Sequence, residues 1–341
     1  MENKYPTVNY IGNKEKISSW IIESLPIKKG TVLDLFCGGC SISYELKKRG
    51  FNVVSNDMLY SNFVLAKAII ENNSDVLAVE DYQNIKVAET DINEIYKKIN
   101  FLVDKVYYDY EVKELAKLIV ISNNIIGYKR YIFLSLLRRA MIRKIPYSRM
   151  NIKWEEIKKF RDEKYSYEKY GRYRHYHNIP FEEHICLNID EYNNSIIKNN
   201  TVCNATQLDA IDCLKTLKKR VDVIYMDPPY PSTMNKYDDF YGYFDVMFDK
   251  KIKNTVDLTN KNTFLDNFIK IIKESISKTT YIAISLNNKC FPSVELLIDN
   301  IIDYIIDYKI FKREHVYKVT GKENKHSTFE ILLVCKMKES L

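Results

Sequence analysis

Residues 221–237, VDVIYMDPPYPSTMNKY, constrain the fold more than any other stretch of the chain. Val221 to Met226 are mostly apolar and β-branched, the pattern of a strand buried inside a sheet. Asp227 then gives way to Pro228 and Pro229. Proline has no N–H and fixes φ, so two in succession end a sheet ladder. A core strand is therefore expected to deliver an acid, two stiff residues and an outward-leaning Tyr230 to its carboxyl edge.

The rest of the chain supplies a sheet for that strand to join. TVLDLF (31–36) reads as a short apolar strand, followed by CGGCS and a helical run that closes on Gly50. FNVVSND (51–57) reads as a second strand and SNFVLAKAIIENN as a second helix. This alternation predicts a doubly wound, mainly parallel α/β sheet. EKISSWIIESLP reads as a helix ending at Pro26, and residues 75–120 as amphipathic helix. After residue 221 the pattern resumes with TFLDNFIKIIKESI as helix, TYIAISLNN as strand and VELLIDNIIDYII as helix. HVYKVTG and TFEILLVCKM read as a C-terminal antiparallel hairpin.

Between these halves the character changes. Residues 121–176 hold 15 Lys and Arg against 5 Asp and Glu, whereas the whole chain carries only +7. Eight of the 11 Arg lie between Arg130 and Arg174. RYIFLSLLRRAMIRK (130–144) has apolar residues at helical spacing, with Arg138, Arg139 and Arg143 interleaved. Five Tyr fall between 165 and 176, among basic residues. A local basic field of this kind points to a polyanionic partner. The domain reading is residues 1–123 with 200–341 as one α/β domain, interrupted by a helical and irregular recognition region at 124–199.

Composition excludes several classes. Hydrophobic residues at 46% and charged residues at 28% describe an ordinary globular chain. MENKYPTVNYIGNKEK lacks the apolar core of a secretory leader, and Asp299, Asp303 and Asp307 interrupt the most apolar late stretch, so no membrane span is expected. Seven scattered Cys fit a reducing compartment, with the cytoplasm as the expected location. Cys37 and Cys40 form a C-x-x-C, but a structural zinc site needs a second pair and none is spaced for it. No metal is expected.

The chemistry concentrates at two strand ends. In open α/β sheets ligands bind beyond the carboxyl ends of the strands, and Gly38 and Gly39 after the first strand let backbone approach a ligand closely. The loop is neither G-x-G-x-x-G nor a P-loop. Asp57, ending the second strand, is placed to accept hydrogen bonds from ribose hydroxyls, although a glycine turn and a helix-capping acid would read the same way. Asp-Pro-Pro-Tyr is more specific. The Asp227 carboxylate and the Pro228 carbonyl can both accept hydrogen bonds from one exocyclic NH2, and the two prolines hold that carbonyl still, as preorganised catalysis requires. Tyr230 offers a face for stacking a base taken out of its helix. Drawing on both protons turns a conjugated amine toward tetrahedral geometry and frees its lone pair for an electrophilic methyl.

These motifs resemble those of the N6-adenine DNA methyltransferases of restriction–modification systems, in the order cofactor motif, target-recognition region, catalytic motif. YIGNK (10–14) is similar to their N-terminal cofactor motif, DLFCGGCS to their F-x-G-x-G loop, ND (56–57) to the strand end with the ribose-binding acid, and DPPY to the catalytic motif. ATQLDAIDCL (205–214) resembles the segment whose acid, here Asp209, meets the cofactor adenine. AISLNN (283–288) and YKVTGKENKHSTFEILLV (317–334) resemble the closing strands. Cys40 departs from the pattern, standing where a second glycine is usual.

The resemblance implies a Rossmann-like methyltransferase fold that binds S-adenosylmethionine through Tyr10, Lys14, Asp34, Phe36, Cys37, Gly38, Asp57 and Asp209. It implies catalysis by Asp227, Pro228, Pro229 and Tyr230. Double-stranded DNA is the implied substrate, a cognate restriction endonuclease an implied partner, and a bacterium or phage the implied source. The clustered arginines Arg138, Arg139, Arg143, Arg161, Arg172 and Arg174 are the expected DNA contacts. N4-cytosine methylation and RNA base methylation share the amine chemistry and stay open at this point. So does a DNA-binding specificity subunit with a degenerate catalytic core.

Overall fold

Strand β1 (Thr31–Asp34) places Val32 and Leu33 wholly out of solvent, as befits a strand covered on both faces. It pairs in parallel with β2 (Asn52–Asn56) on one side and with β4 (Val221–Met226) on the other. β3 (Cys203–Thr206) extends the sheet beyond β2, and β5 (Thr279–Asn287) beyond β4, both in parallel. β7 (Phe329–Met337) runs antiparallel to β5, and β6 (Ile305–Glu314) forms the edge, antiparallel to β7. The order β3-β2-β1-β4-β5-β7-β6 reverses direction at β1. This is the doubly wound α/β sheet expected, with its switch point where β1 and β4 end side by side.

The computed structural model describes residues 3–171, 173–231, 236–314 and 329–339. The sheet and its helices form one compact unit: Asn13–Met58, Asn199–Tyr237 and Ile252–Leu341. The helices Ala210–Thr216, Phe264–Ser275 and Val294–Ile301 add Leu214, Phe268, Ile272 and Leu297 to its core against Ile224, Ile282 and Leu333. The last of these helices is shorter than expected. It ends in a single tight turn, Ile302–Tyr304, and IIDYKIFKRE becomes β6. A short apolar run fits helix and strand alike, and pairing of Ile305 through Glu314 along β7 decides for strand. HVYKVTG, expected as the hairpin's first strand, lies outside the described residues.

The second unit comprises Met1–Gly12, Leu59–Lys198 and Asp238–Lys251 and is mainly helical. Its centre is the helix Tyr128–Arg143, in which every residue from Ile132 to Ile142 is buried. A helix covered on all sides belongs to an interior. Phe133 packs on Tyr82 with ring centroids 5.2 Å apart, and the Tyr107 hydroxyl donates to the Met141 carbonyl at 2.8 Å. This unit is larger than the 124–199 insertion read from the sequence. Glu111, on the helix Asp109–Asn124, takes a two-pronged ion pair from Arg161, so the preceding helices share its interior.

Candidate active site

β4 ends at Met226, and the next carboxylate, Asp227, meets Lys14 with Nζ to Oδ2 at 3.0 Å. Both side chains are largely covered, 12% exposed for Lys14 and 23% for Asp227. Lys14 immediately precedes the tight turn Glu15–Ile17, and its carbonyl accepts the Ile17 N–H at 3.0 Å, which fixes the backbone it extends from. On its other side stands Glu330 of β7, 0% exposed, with Oε2 3.9 Å from the same ammonium. Burial alone would lower the Lys14 pKa; Asp227, Glu330 and Tyr225 outweigh it and hold the group well above its usual value. Burial raises Asp227 against the pull of Lys14. Burial also pushes Glu330 up to about 7, opposed by Lys14 and reinforced by Asp227.

Pro228 is buried and Pro229 half-buried. Tyr230 does not lean outward: it is 3% exposed, its ring lies 5.5 Å from that of Phe264, and its hydroxyl donates to the Ser285 carbonyl at 2.9 Å. The proline pair turns the chain back into the core, so the tyrosine braces the tetrapeptide from below.

Alongside, the loop after β1 is tied to β2. The Cys37 N–H donates to the Asn56 carbonyl at 2.8 Å, and the Gly38 N–H to Asp57 Oδ2 at 2.8 Å. Asn56 reaches back to the carbonyls of Leu35 and Leu208, each at 3.1 Å. Phe36 packs against the sheet core. Cys40 sits at φ 62°, ψ 17°, immediately before the helix Ser41–Lys48. That left-handed backbone explains why glycine is usual there; a side chain at such a position costs about 1–2 kcal/mol. Cys37 and Cys40 are free thiols with Sγ atoms 3.7 Å apart, and the hydrogen bond with the Cys40 thiol, followed by burial, raises the Cys37 pKa.

Asp34, at the end of β1, is 1% exposed. Its Oδ2 accepts from Ser43 Oγ at 2.7 Å, whereas Oδ1 has no hydrogen-bond partner among the described residues. Burial, with Asp227 and Asp57 adding to it and Ser43 opposing, lifts this carboxyl to about 7. A buried carboxylate oxygen without a partner is costly, and it suits a site meant to meet a cation. Asp209 caps the helix Ala210–Thr216, its Oδ1 accepting from Ile211 N at 2.9 Å and its Oδ2 from Val256 N at 2.8 Å. Among the described residues no group of three or more His, Cys, Asp or Glu could hold a metal ion.

The remaining expected residues belong to the helical unit. Tyr10 stacks on Tyr241 with centroids 5.2 Å apart, and the Tyr241 hydroxyl accepts the Ile11 N–H at 2.9 Å. Arg138 lies over both rings and donates to the Val8 carbonyl at 3.0 Å. Three of the arginines expected on DNA are interior instead: Arg138, Arg139 and Arg161 are 1%, 9% and 4% exposed. Arg139 faces Glu191 at 3.5 Å, and Arg161 grips Glu111. Charge density along a sequence does not distinguish a solvated arginine from one that neutralises a buried acid. Arg143 and Arg174 remain partly open, against Tyr176 (4.1 Å) and Tyr170 (4.6 Å) respectively. Tyr167 and Tyr173, 50% and 53% exposed, stack on each other at 4.6 Å. Arg172 lies outside the described residues.

Sequence reasoning missed Glu330, although a lone acid within TFEILLVC was a signal. It also missed Asp245, whose carboxylate accepts the N–H groups of Tyr60 and Ser61 at 2.7 and 3.1 Å and so anchors the start of the helix Tyr60–Ala66.

Residues 10–294, which span both the switch-point loop and the strand that ends in Asp-Pro-Pro-Tyr, match the D12 class of N6 adenine-specific DNA methyltransferases. The chain belongs to that family and is an adenine-specific DNA methyltransferase. It is 40% identical over 337 residues to the Type II methyltransferase M2.HphI of Haemophilus parahaemolyticus, covering 97% of this chain and 98% of the relative.

Proposed function

We propose that the enzyme methylates the N6 amine of adenine within a specific duplex sequence, using S-adenosylmethionine and a base flipped out of the helix. The observation that carries this reading is the placement of Asp227, held by Lys14 at 3.0 Å, at the carboxyl end of β4 where the sheet changes direction. When bound, the cofactor supplies an electrophilic methyl group. The unpartnered Asp34 Oδ1 fits its amino-acid ammonium, Asp57 its ribose hydroxyls, and Asp209, already fixed by two backbone N–H groups, the edge of its adenine. Phe36, Cys37 and Gly38 line the loop between them, and Tyr10, Lys14 and the tetrapeptide complete the expected set.

Asp227 and the Pro228 carbonyl accept hydrogen bonds from the two protons of the target amine. N6 gains the methyl and loses one proton, which the Asp227 carboxylate is placed to take and pass to solvent. Positioning and desolvation supply most of the rate. Pro229 stiffens the turn, and Tyr230, buried against Phe264 with its hydroxyl on the Ser285 carbonyl, holds the tetrapeptide in place.

Recognition we assign to the helical unit, with Arg143, Arg174 and the exposed Tyr167–Tyr173 stack as its DNA-facing groups. A restriction–modification pairing, with an endonuclease sharing the site, and a cytoplasmic location complete the reading. The test is transfer of labelled methyl from S-adenosylmethionine to mixed DNA and RNA, followed by nucleoside analysis. N6-methyladenine in DNA is expected; N4-methylcytosine, or label confined to RNA, overturns the reading.

A further inference from the structure

We propose that Glu330 is a positioning residue for methyl transfer, competing with Asp227 for the single ammonium of Lys14 and so keeping the Asp227 carboxylate available to the target amine. The inference rests on the assignment of Asp227 to the target amine. Its geometric basis is a line of three charges from three separate parts of the chain. Lys14 Nζ stands 3.0 Å from Asp227 Oδ2 and 3.9 Å from Glu330 Oε2. Glu330 is wholly buried near the start of β7, paired in register with Asn287 at the end of β5. A carboxylate in such a place is costly unless a cation or a function holds it there.

One ammonium cannot fully satisfy two carboxylates. If Asp227 alone held Lys14, its charge would be largely neutralised and its capacity to accept from an amine reduced. An ionised Glu330 draws the ammonium toward itself and leaves Asp227 the stronger acceptor. A neutral Glu330 releases Lys14 to Asp227 and weakens it. Among the described residues, the charged and titratable groups around the acid include Lys14, Asp227 and Tyr225 on the ion-pair side and Cys290 beyond β5; on the edge strand its register neighbour is Arg313, which is exposed. With the carboxyl lifted to about 7, Glu330 changes charge near neutrality. As pH rises through that value it ionises, Asp227 gains acceptor strength, and turnover rises.

The experiment measures the single-turnover rate at saturating cofactor and DNA from about pH 5 to about pH 9, for the full chain and for Glu330→Gln, Glu330→Asp and Asp227→Ala. Cofactor affinity and unfolding midpoint are measured for each. Glu330→Gln is expected to slow methyl transfer by about tenfold, equivalent to about 1.4 kcal/mol, and to abolish the acid limb near neutrality. Cofactor affinity should stay within a few-fold. Glu330→Asp, which keeps the charge, should recover much of the rate and retain a limb at a displaced midpoint. A Gln variant with the wild-type rate and the wild-type pH profile overturns the proposal. Should the Gln variant not fold, the Asp variant decides: a displaced limb supports the proposal and an unchanged profile overturns it. Asp227→Ala separates the two levels. If it remains active, the assignment of the target amine falls; if it is dead while Glu330→Gln behaves as wild type, only the role of Glu330 falls.

Discussion

Arg161 holds Glu111 at both oxygens, with Nη1 2.7 Å from Oε2 and Nη2 2.7 Å from Oε1. Lys144 approaches the same carboxylate at 2.8 Å, and none of the three side chains is more than 2% exposed. Burial would raise the Glu111 pKa, but the two cations prevail and hold it below its usual value. Removing Arg161 leaves Glu111 paired with Lys144 but takes away two charge-assisted hydrogen bonds from a buried carboxylate, which costs about 1–3 kcal/mol. Arg161→Ala should therefore lose stability on that scale in denaturant unfolding. Its folded fraction should show the wild-type dependence of DNA affinity on salt. A variant of normal stability with a flattened salt slope would return Arg161 to the DNA interface.

Asp57→Ala should weaken cofactor binding by at least about tenfold, a loss of about 1.4 kcal/mol, with turnover recovering at high cofactor concentration. The side chain does more than face a ribose: it accepts the Gly38 N–H at 2.8 Å and so fixes the loop after β1. Calorimetric titration with the cofactor checks this. An unchanged affinity removes Asp57 from the cofactor site.

Arg174→Ala and Tyr173→Ala test recognition without disturbing the interior. Arg174 lies against the Tyr170 ring at 4.6 Å and the Phe160 ring at 5.1 Å, and Tyr173 is 53% exposed. Lost phosphate contact at Arg174 should flatten the salt slope by about one unit. Lost stacking at Tyr173 should cost about 1–3 kcal/mol of affinity. Both should unfold within about 0.5 kcal/mol of wild type, as surface changes usually do. If both bind DNA as wild type does, the reader lies elsewhere in the helical unit.

The protein free of cofactor should become less stable as pH rises from about 4 through about 7. Burial lifts the Asp34 and Glu330 carboxyls to about 7 when folded, whereas the unfolded chain titrates them near 4. Between those values the folded state binds more protons than the unfolded, so their contribution is full below the unfolded pKa and lost through the folded one. Melting temperature against pH measures this. Asp34→Asn should flatten the slope, and saturating cofactor should offset part of it by placing an ammonium against Asp34. An Asn variant with the wild-type slope would show that Asp34 does not titrate as described.

What was legible in the sequence was local. The strand ending at Asp227 announces itself through β-branched residues and a pair of prolines, and the loop after β1 through its glycines. The structure has both where the periodicity puts them. The fate of individual charges was not legible. Arg138 and Arg139 are flanked by FLSLL and AMI, a context that buries them, yet their type alone suggested a solvated surface. Their partners, Val8 and Glu191, lie far away in the chain, and no local pattern encodes such pairings. The same holds for Glu330, which becomes meaningful only once β7 lies beside β5. IIDYKIFKRE fits either secondary structure until β7 offers it hydrogen-bond partners.

The chain crosses between its two units after Gly12, Met58, Lys198, Tyr237 and Lys251. The helical unit is thus stitched from three segments and the sheet unit from three others. Neither can be lifted out as one continuous gene fragment, and a single crossover within the coding sequence leaves both halves with broken cores. New sequence preferences in such a protein are accordingly reached by substitution at its surface more readily than by trading whole cassettes with a relative. A deliberate chimera has to exchange three stretches at once.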